Sequence, residues 1–396
     1  MAVNVPSDTI ALSTLESAIL RDRHRTEKLM DRRKFVKAAG LAGVAGVAGA
    51  CSKQSPGATD CLTGGNGAEQ RLEWKMVTSW PRDFPALGTG ANRLAENIGK
   101  LSNGRLTIKV YGANELVPPF EVFDAVERGT VEMGHAASYY WKGKIPSSQI
   151  FAGVPFGMTA QELNGWLYYG GGLELWREAY APYGVIPFPV GNSGVQMGGW
   201  FNQEINSLDD LQGLVMRIPG LGGEVLRRAG GTPMNTPGSE IFTALQTGTI
   251  DATEWIGPFN DLAFSLPKAA RYYYYPGWHE PGTALEGIVN QEAYEALPSD
   301  LQQIIETACQ AATMDMLSEF MARNGESLAR IREGGTEVRP FPDDVLAELK
   351  RTTALVLAEI AAEDEMSGKA YGSFLDHFQT VRGWSEISER FYMNNR

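Results

Sequence analysis

Near the middle of the chain, residues 214–219 read Leu-Val-Met-Arg-Ile-Pro, which places a single cation inside an apolar run. The aliphatic residues favour a strand, and Pro219 marks the position where such a strand ends. A buried arginine needs a planar anionic partner, and a carboxylate accepts its fork of N–H groups in pairs. The stretch therefore predicts that Arg217 holds a carboxylate, which belongs either to an acidic residue of this chain or to a ligand.

Upstream of this stretch, the sequence patterns alternate between strands and helices. Residues 72–79 alternate like a strand, residues 85–101 carry a helical apolar pattern, and residues 106–111 form the next strand. A helix over 120–128 and a strand over 131–137 follow. This β-α-β-α-β order predicts an α/β fold.

A faint internal repeat indicates a second unit of the same kind. Residues 123–132, Phe-Asp-Ala-Val-Glu-Arg-Gly-Thr-Val-Glu, resemble residues 242–251, Phe-Thr-Ala-Leu-Gln-Thr-Gly-Thr-Ile-Asp. Both read as the end of a helix, a glycine stop and a strand. The spacing is too long for a solenoid period, so we expect two similar lobes, although helix–glycine–strand is also a common local solution.

The second lobe is predicted to surround the arginine strand. Further strands are expected over residues 195–202 and 251–256, and helices over 221–229 and 238–247. An apolar strand over 283–290 is expected to return to the first lobe. More than one crossing between two lobes is typical of proteins that close like a clamshell.

The predicted domain division follows these crossings. Lobe I combines residues 71–194 with about 283–322, and lobe II combines residues 195–282 with about 323–376. The C-terminal helices occupy about residues 340–396.

The C-terminal third is predicted to be helical. After Pro298, the residues Ser-Asp-Leu-Gln at 299–302 resemble a capping box, and the helical pattern continues to about residue 333. A second helix opens at residues 341–344 and runs to about residue 365. Helices of this length pack either on a partner subunit or across both lobes of one chain.

Residues 1–50 are predicted to be an export signal of the twin-arginine type. Residues 31–37, Asp-Arg-Arg-Lys-Phe-Val-Lys, carry the paired arginines, and a run of small apolar residues follows over 38–50. That run is too short to span a bilayer. Lipidation of Cys51 and ordinary cleavage nearby are both open. Residues 51–70 are typical of a flexible linker.

Composition narrows the possible partners and activities. The 396 residues suffice for two domains, and a hydrophobic content of 43% allows a substantial core. A formal net charge of −12 argues against nucleic acid as a partner. The sequence shows no disulfide framework, and it lacks the motifs of nucleophilic, phosphate-binding and zinc-dependent catalysis. An enzymatic function is therefore not favoured.

Two short segments combine a carboxylate with an indole ring where strands are expected to end. Residues 253–258 read Thr-Glu-Trp-Ile-Gly-Pro, and residues 277–282 read Gly-Trp-His-Glu-Pro-Gly. Ligands of α/β sheets collect at the C-terminal ends of strands, so Trp255 and Trp278 are candidate walls of a small pocket. Core packing of the indoles and surface positions for the carboxylates are the alternative.

Three stretches carry a resemblance to a known family. They are residues 73–81, Glu-Trp-Lys-Met-Val-Thr-Ser-Trp-Pro, residues 213–220, Gly-Leu-Val-Met-Arg-Ile-Pro-Gly, and residues 251–255, Asp-Ala-Thr-Glu-Trp. From about residue 71 onward, the chain resembles the solute-binding subunits of tripartite ATP-independent periplasmic (TRAP) transporters. It is most similar to the subgroup that binds 2-oxo acids such as pyruvate. The resemblance implies a two-lobed, periplasmic-binding-protein-like clamshell.

The resemblance also implies roles for individual residues. Arg217 pairs with the carboxylate of the substrate, and a cation is held by the side chains of Gln196, Glu254 and Glu280 and by the backbone carbonyl of Trp255. A charge argument points the same way, because two glutamates and a monocarboxylate carry three negative charges and Arg217 balances only one. A buried excess of charge is costly, and a hard cation with oxygen ligands removes it.

The sequence is compatible with more than one cation and suggests two further contacts to the substrate. The 2-oxo acid subgroup implies Na⁺, whereas Ca²⁺ would neutralise the charge fully and stays open. Tyr140 and Asn192 are candidate hydrogen-bonding partners of the substrate.

The implied partners are the membrane permease subunits of a TRAP transporter and, through a C-terminal helix exchanged between subunits, a second copy of this chain. The implied location is the periplasm. Three alternatives remain open. They are the same fold binding lactate or another carboxylate with Ca²⁺, a sensor subunit built on the same clamshell, and an enzyme acting on a carboxylic acid.

Overall fold

The structure, a computed structural model, describes residues 71–396. The predicted export signal and linker lie outside these residues. Within the described part, no helix has the length and hydropathy needed to cross a membrane. The strands are β1 (Leu72–Thr78), β2 (Leu106–Tyr111), β3 (Met133–Ala136), β4 (Val185–Asn192), β5 (Gly199–Phe201), β6 (Val215–Arg217), β7 (Thr232–Met234), β8 (Ala252–Thr253), β9 (Tyr272–Tyr275), β10 (Ala284–Asn290) and β11 (Glu337–Pro340).

Helices connect and cover these strands. They are α1 (Leu87–Leu101), α2 (Val122–Glu127), α3 (Ser148–Ala152), α4 (Ala160–Tyr169), α5 (Gly172–Tyr180), α6 (Gly220–Arg228), α7 (Gly238–Gln246), α8 (Pro258–Ala263), α9 (Gln291–Glu295), α10 (Ser299–Glu333), α11 (Asp343–Glu363), α12 (Glu365–Ile387) and α13 (Glu389–Met393). A 3₁₀ turn, Ser138–Trp141, follows β3.

The strands form two sheets. The first has the order β2-β1-β3-β10-β4, and the second has the order β11-β9-β5-β8-β6-β7. In the first sheet β1 runs parallel to β2 and β3, whereas β10 runs antiparallel to β3 and β4. The predicted two-lobed α/β architecture with long C-terminal helices is confirmed.

Both faces of the first sheet are covered by helices. Neighbouring residues of a strand point to opposite faces, and Met76 and Val77 accordingly belong to different core clusters. Met76 packs with residues of α1 and α10, and Val77 packs with residues of α2, α3 and α4. Burial on both sides explains why β3 and β10 are buried along almost their whole length.

The internal repeat corresponds to equivalent connections in the two sheets. Gly129 follows α2 and Gly248 follows α7, and both adopt left-handed backbone conformations, with φ of 64° and 72°. Glycine accepts this conformation without a steric penalty, so it ends the helix and turns the chain. The next strands, β3 and β8, belong to the first and the second sheet respectively.

The chain passes between the sheets at three places within the described residues. It leaves the first sheet after β4, returns after β9, and leaves again through α10. The strand predicted over 283–290 is β10 and does return to the first sheet. The strand expected over 195–202 shortens to β5, because residues 195–198 form the first crossing.

The C-terminal helices differ in detail from the prediction. Helix α10 has 35 residues, and it packs on α1 and β4 of the first sheet and on α8 beside the second. It therefore lies across both lobes of one chain. Pro298 is its N-cap residue and no side chain caps it, so the capping box expected at 299–302 is wrong. Helix α12 packs against α3, α4 and α5, on the first-sheet side, although about half of it falls within the range predicted for lobe II.

A carboxylate lies in the core of the first lobe. Glu286, on β10, is fully buried, and it accepts hydrogen bonds from the indole N–H of Trp141 and, at 2.9 Å, from the hydroxyl of Tyr180. Burial raises the pKa of Glu286 to about 8, and the bonds from its two neutral partners only partly offset this effect.

Replacing Glu286 with glutamine is expected to reduce the loss of stability at alkaline pH. Because the pKa in the folded protein exceeds the ordinary value of 4.5, the folded state retains a proton that the unfolded chain releases. The stability from this group is complete below pH 4.5 and is lost as the pH rises through 8. Between pH 5 and pH 8 the loss is about 3 kcal/mol of unfolding free energy. Urea unfolding at both pH values checks this, and equal losses in the wild type and Glu286→Gln would contradict it.

Candidate functional site

The predicted site residues converge where the chain passes between the two sheets. Arg217 ends β6 and Glu254 directly follows β8, and these parallel strands are neighbours with Arg217 opposite Thr253. Their C-terminal ends therefore lie side by side, the usual place for a ligand in such sheets. Gln196 lies in the crossing from β4 to β5, and Glu280 lies in the crossing from β9 to β10.

Arg217 is buried, with 2% of its surface exposed, and has several partners. One terminal nitrogen, Nη1, forms an ion pair with the Glu254 carboxylate, and Nε donates to the carbonyl of Thr236 at 3.2 Å. The guanidinium also lies over the Trp255 ring, 5.1 Å from its centroid. Burial lowers the pKa of Arg217, but Glu254 and the neighbouring Tyr140, Tyr139 and Glu280 together outweigh this effect, and the net shift is upward. The sequence allowed either an acidic residue or a ligand as the carboxylate partner of Arg217. In the structure the acidic residue is Glu254, and binding of a ligand carboxylate to Arg217 stays a prediction.

A second buried carboxylate lies close to the first. Glu280 accepts hydrogen bonds at Oε2 from the amide of Gln196, at 2.6 Å, and from the hydroxyl of Thr283, at 2.5 Å. Burial and the nearby charge of Glu254 raise the pKa of Glu280 to about 7. Ligand-capable atoms of Glu254, Glu280 and His279 all lie within 4.8 Å of one another.

These groups fit a hard cation. The amide oxygen of Gln196 is buried and has no hydrogen-bond partner among residues 71–396. An unsatisfied amide oxygen beside two carboxylates forms the oxygen-rich donor set that Na⁺ or Ca²⁺ takes in proteins. Such a cation would neutralise the charge of Glu280. The amide of Gln196 and the hydroxyl of Thr283 donate hydrogen bonds to this carboxylate but carry no positive charge.

A small cavity of about 10 Å³ lies beside this cluster. That is about the space one water molecule needs and far below the roughly 300–1,000 Å³ of sites for drug-sized ligands, so the site favours a small ligand whose entry moves the lining side chains apart. The cavity is lined by Trp80, Tyr139, Tyr140, Ser193, Gln196, Arg217, Trp255, Ile256, Thr283 and Leu285.

The structure brings most of the predicted residues to this place. The cavity is lined by four of them, Arg217, Gln196, Trp255 and Tyr140. Glu254 does not line the cavity but forms an ion pair with Arg217. Burial raises the pKa of Tyr140 to about 12, so its hydroxyl keeps its proton and can donate at neutral pH.

Asn192 occupies a different position from the one expected. Its side-chain oxygen accepts from the N–H of Gly194 at 2.9 Å, and its amide nitrogen donates to the carbonyl of Gly282 at 3.4 Å. It is not among the residues that line the cavity. Asn192 therefore links the crossing after β4 to the crossing before β10, and both its side-chain oxygen and its nitrogen are hydrogen-bonded to backbone groups.

Sequence reasoning missed several residues of the wall. Trp80 follows β1, and its indole N–H donates to Nδ1 of the buried His135 at 2.6 Å. Tyr139 precedes Tyr140 in the 3₁₀ turn, and burial raises its pKa well above the usual range. The Ser-Tyr-Tyr-Trp sequence of this turn, at the end of a strand, was the available signal. Trp278, by contrast, stacks on Phe156 at 5.9 Å and is not part of the wall.

Comparison with known proteins identifies the family. The sequence profile of DctP, described as bacterial extracellular solute-binding protein, family 7, matches residues 76–364. A monocarboxylate 2-oxoacid-binding periplasmic protein of Nostoc sp. is 41% identical over 367 residues, which cover 92% of this chain and 98% of that protein.

Solved structures resemble this chain over most of its length. A TRAP periplasmic solute-binding protein from Colwellia psychrerythraea, with bound calcium and pyruvate, is 45% identical with a TM-score of 0.81, covering 83% of this chain and 100% of that one. Another, from Pseudoalteromonas atlantica with bound sodium and pyruvate, is 43% identical with the same TM-score and coverage. A TRAP transporter solute-binding protein from Bordetella bronchiseptica, a mixed-occupancy dimer with calcium and picolinate in one site, is 37% identical with a TM-score of 0.81, covering 82% and 97%.

The family profile covers the strand that carries Arg217 and the two crossings that carry Gln196 and Glu280. These likenesses identify a protein of substrate-binding transport systems, and the predicted location in the periplasm is confirmed. The chain belongs to family 7 of the bacterial extracellular solute-binding proteins and is a solute-binding protein of the TRAP transporters.

Proposed function

We propose that this protein binds a small 2-oxo monocarboxylate, such as pyruvate, together with a metal cation and delivers it to the membrane permease. The observation that carries the proposal is the buried Arg217 on the wall of a small cavity that also adjoins two buried carboxylates. One fixed cation and two anions leave the site short of positive charge before any anionic ligand enters.

Arg217 supplies the anchor for the carboxylate of the ligand. A guanidinium has five N–H donors, and the contacts with Glu254 and Thr236 involve only Nε and Nη1. A planar ligand carboxylate matches the fork geometry, which a lysine does not reproduce.

The cation would be held by the side chains of Gln196, Glu254 and Glu280 and by the carbonyl of Trp255. It would supply the positive charge that allows both glutamates and the acid to stay ionised in a buried site. Na⁺ and Ca²⁺ both fit these oxygen donors, and the pyruvate-bound relatives contain one or the other.

The cavity favours a short ligand. Apolar side chains of Trp80, Ile256 and Leu285 form part of its wall, and polar contacts come from Tyr139 and Tyr140. Pyruvate combines a carboxylate for Arg217 with a keto oxygen that a cation or a tyrosine hydroxyl can contact. Lactate with Ca²⁺ is the second candidate, and the picolinate bound by one relative shows that this fold accepts other carboxylates.

Calorimetric titration of pyruvate, lactate and longer 2-oxo acids separates these candidates. Each acid is added to protein in sodium-free buffer with a chelator, then with Na⁺, then with Ca²⁺. Tight binding of pyruvate that requires one of the cations is expected, with weaker binding of the longer acids because of the small cavity. Equal binding in the chelator alone would refute the cation-dependent site.

No covalent chemistry is part of the proposal. The expected result is that pyruvate recovered after prolonged incubation with the protein is unchanged by NMR, since a delivery protein must release its ligand intact. Conversion of the acid would favour the alternative of an enzyme.

We also propose that two copies associate through the C-terminal helices. Five large apolar or aromatic residues on α12 and α13 are more than half exposed: Trp384, Ile387, Phe391, Tyr392 and Met393. Exposed apolar groups of this kind mark interaction surfaces. A second copy is the occupant we infer, because one relative forms a dimer.

Replacing Trp384 and Phe391 with glutamate is expected to convert the dimer into monomers, because charges would be buried in the interface. Light scattering after size-exclusion chromatography measures the mass. Tyr169, which is 95% exposed on α4, provides a matched control in Tyr169→Glu. A wild-type protein that is monomeric at micromolar concentration would contradict the proposed dimer.

A further inference from the structure

A buried histidine beside the carboxylates has no part in the function proposed above. His279 is 2% exposed, and its Nε2 lies 3.3 Å from Oε2 of Glu254. An ionised carboxylate oxygen only accepts hydrogen bonds, so Nε2 carries the hydrogen and donates it. Within residues 71–396, Nδ1 is buried without a partner, which fits the nitrogen that bears the lone pair.

The two oxygens of Glu254 are thereby held from different sides. Oε1 contacts the guanidinium of Arg217, and Oε2 contacts the imidazole of His279. Two donors on one carboxylate fix both its rotamer and the plane of its oxygens. Lone pairs that remain on these oxygens then point in defined directions, which a cation site requires.

We propose that His279 is a positioning residue that orients Glu254 for cation binding. The inference rests on the proposed function, because it assumes that Glu254 is a ligand of the cation. At metal sites, residues that do not touch the metal often orient its ligands through hydrogen bonds, and the imidazole of His279 would do this for Glu254.

Packing on the arginine segment holds His279 in place. A Cβ atom added at Gly222 would lie 2.8 Å from Cβ of His279 and 2.9 Å from Cδ1 of Ile218. Gly222 is in the first turn of α6, directly after the strand that carries Arg217. The missing side chain therefore lets the imidazole approach, and the ring of Trp278, tilted by 74°, packs against the histidine ring.

Direct binding of the cation by His279 is the alternative. One of its ring nitrogens lies close enough to the carboxylates to take part in a cation site. Na⁺ and Ca²⁺ prefer oxygen ligands, however, and the nitrogen that faces Glu254 carries a hydrogen. The hydrogen-bond geometry therefore favours positioning over coordination.

Substitutions that keep or remove the donor test this role. Ca²⁺ and, separately, Na⁺ are titrated into cation-depleted protein at saturating pyruvate, and melting temperatures are measured in chelator. His279→Phe is expected to weaken the affinity for the cation by about 10–100-fold. His279→Gln, whose amide can still donate to Glu254, should stay within about threefold of the wild type. His377→Gln, on α12, is the matched control.

Gly222→Ala is a second variant that removes no polar group. The added methyl group is expected to displace His279 and to weaken cation affinity severalfold. Unchanged cation affinity in His279→Phe or in Gly222→Ala would overturn the role of His279, and so would an equal loss in His279→Gln and His279→Phe. A wild-type protein that binds pyruvate without any cation would instead overturn the proposed function, and the role of His279 with it.

Discussion

Arg217→Lys is expected to weaken the binding of pyruvate by roughly 100-fold. Lysine keeps the charge but loses the planar fork, so the ligand carboxylate retains one hydrogen bond in place of two. A hydrogen bond to a charged group contributes about 1.5–3 kcal/mol, and about 2.7 kcal/mol corresponds to 100-fold in affinity. Calorimetric titration in the presence of the cation measures the change.

Arg271→Lys is the matched control, because Arg271 is exposed on the second lobe, where it forms a surface ion pair with Glu337 and lies over the Tyr272 ring. Its pyruvate affinity should equal that of the wild type. If Arg217→Lys binds pyruvate as tightly as the control, Arg217 does not contact the substrate. Its role would then be the ion pair with Glu254 alone.

Glu280→Gln is expected to stabilise the protein without cation and to abolish tight binding of pyruvate. The pKa of Glu280 in the folded protein, about 7, lies above the ordinary value of 4.5, so its stabilising effect is lost as the pH rises through 7. At pH 8 the ionised carboxylate therefore costs about 1–3 kcal/mol, and a neutral glutamine avoids this cost. Loss of a charged ligand should weaken cation-dependent binding by 100-fold or more, as estimated from the attraction between buried charges.

Chemical unfolding in sodium-free buffer with chelator measures the first effect, and titration of pyruvate with Ca²⁺ measures the second. Glu326→Gln, on the exposed side of α10, is the control for both. A variant that is less stable and binds pyruvate normally would show that Glu280 supports the fold and takes no part in holding a cation.

Local patterns were sufficient for the long elements of the fold. The helix predicted over residues 299–333 coincides with α10, because a long apolar pattern between a proline and a glycine pair leaves little choice of boundaries. Strand β4 was not predicted, since Pro187 and Pro189 interrupt its pattern. Proline is tolerated there because β4 is the edge of its sheet and pairs with β10 alone.

Site residues could be predicted where a single short segment of sequence marks the residue as unusual. Arg217 stands out as a lone cation in an apolar strand, and Glu254 stands out at the end of another. Trp80 carries no such signal and the aromatic turn around Tyr139 carries only a weak one, because an aromatic residue after a strand looks the same in sequence whether it faces a core or a cavity. His279 lies in the segment 277–282 singled out in the sequence, but its contact with Glu254 depends on the meeting of residues 25 positions apart.

A crystal structure of the protein with pyruvate and Ca²⁺ tests the central claim most directly. The expected result places the pyruvate carboxylate within hydrogen-bonding distance of Arg217 and a cation at about 2.3–2.6 Å from oxygens of Gln196, Glu254 and Glu280. Pyruvate bound away from Arg217, or a cation bound elsewhere while these three residues keep only each other as partners, would contradict it.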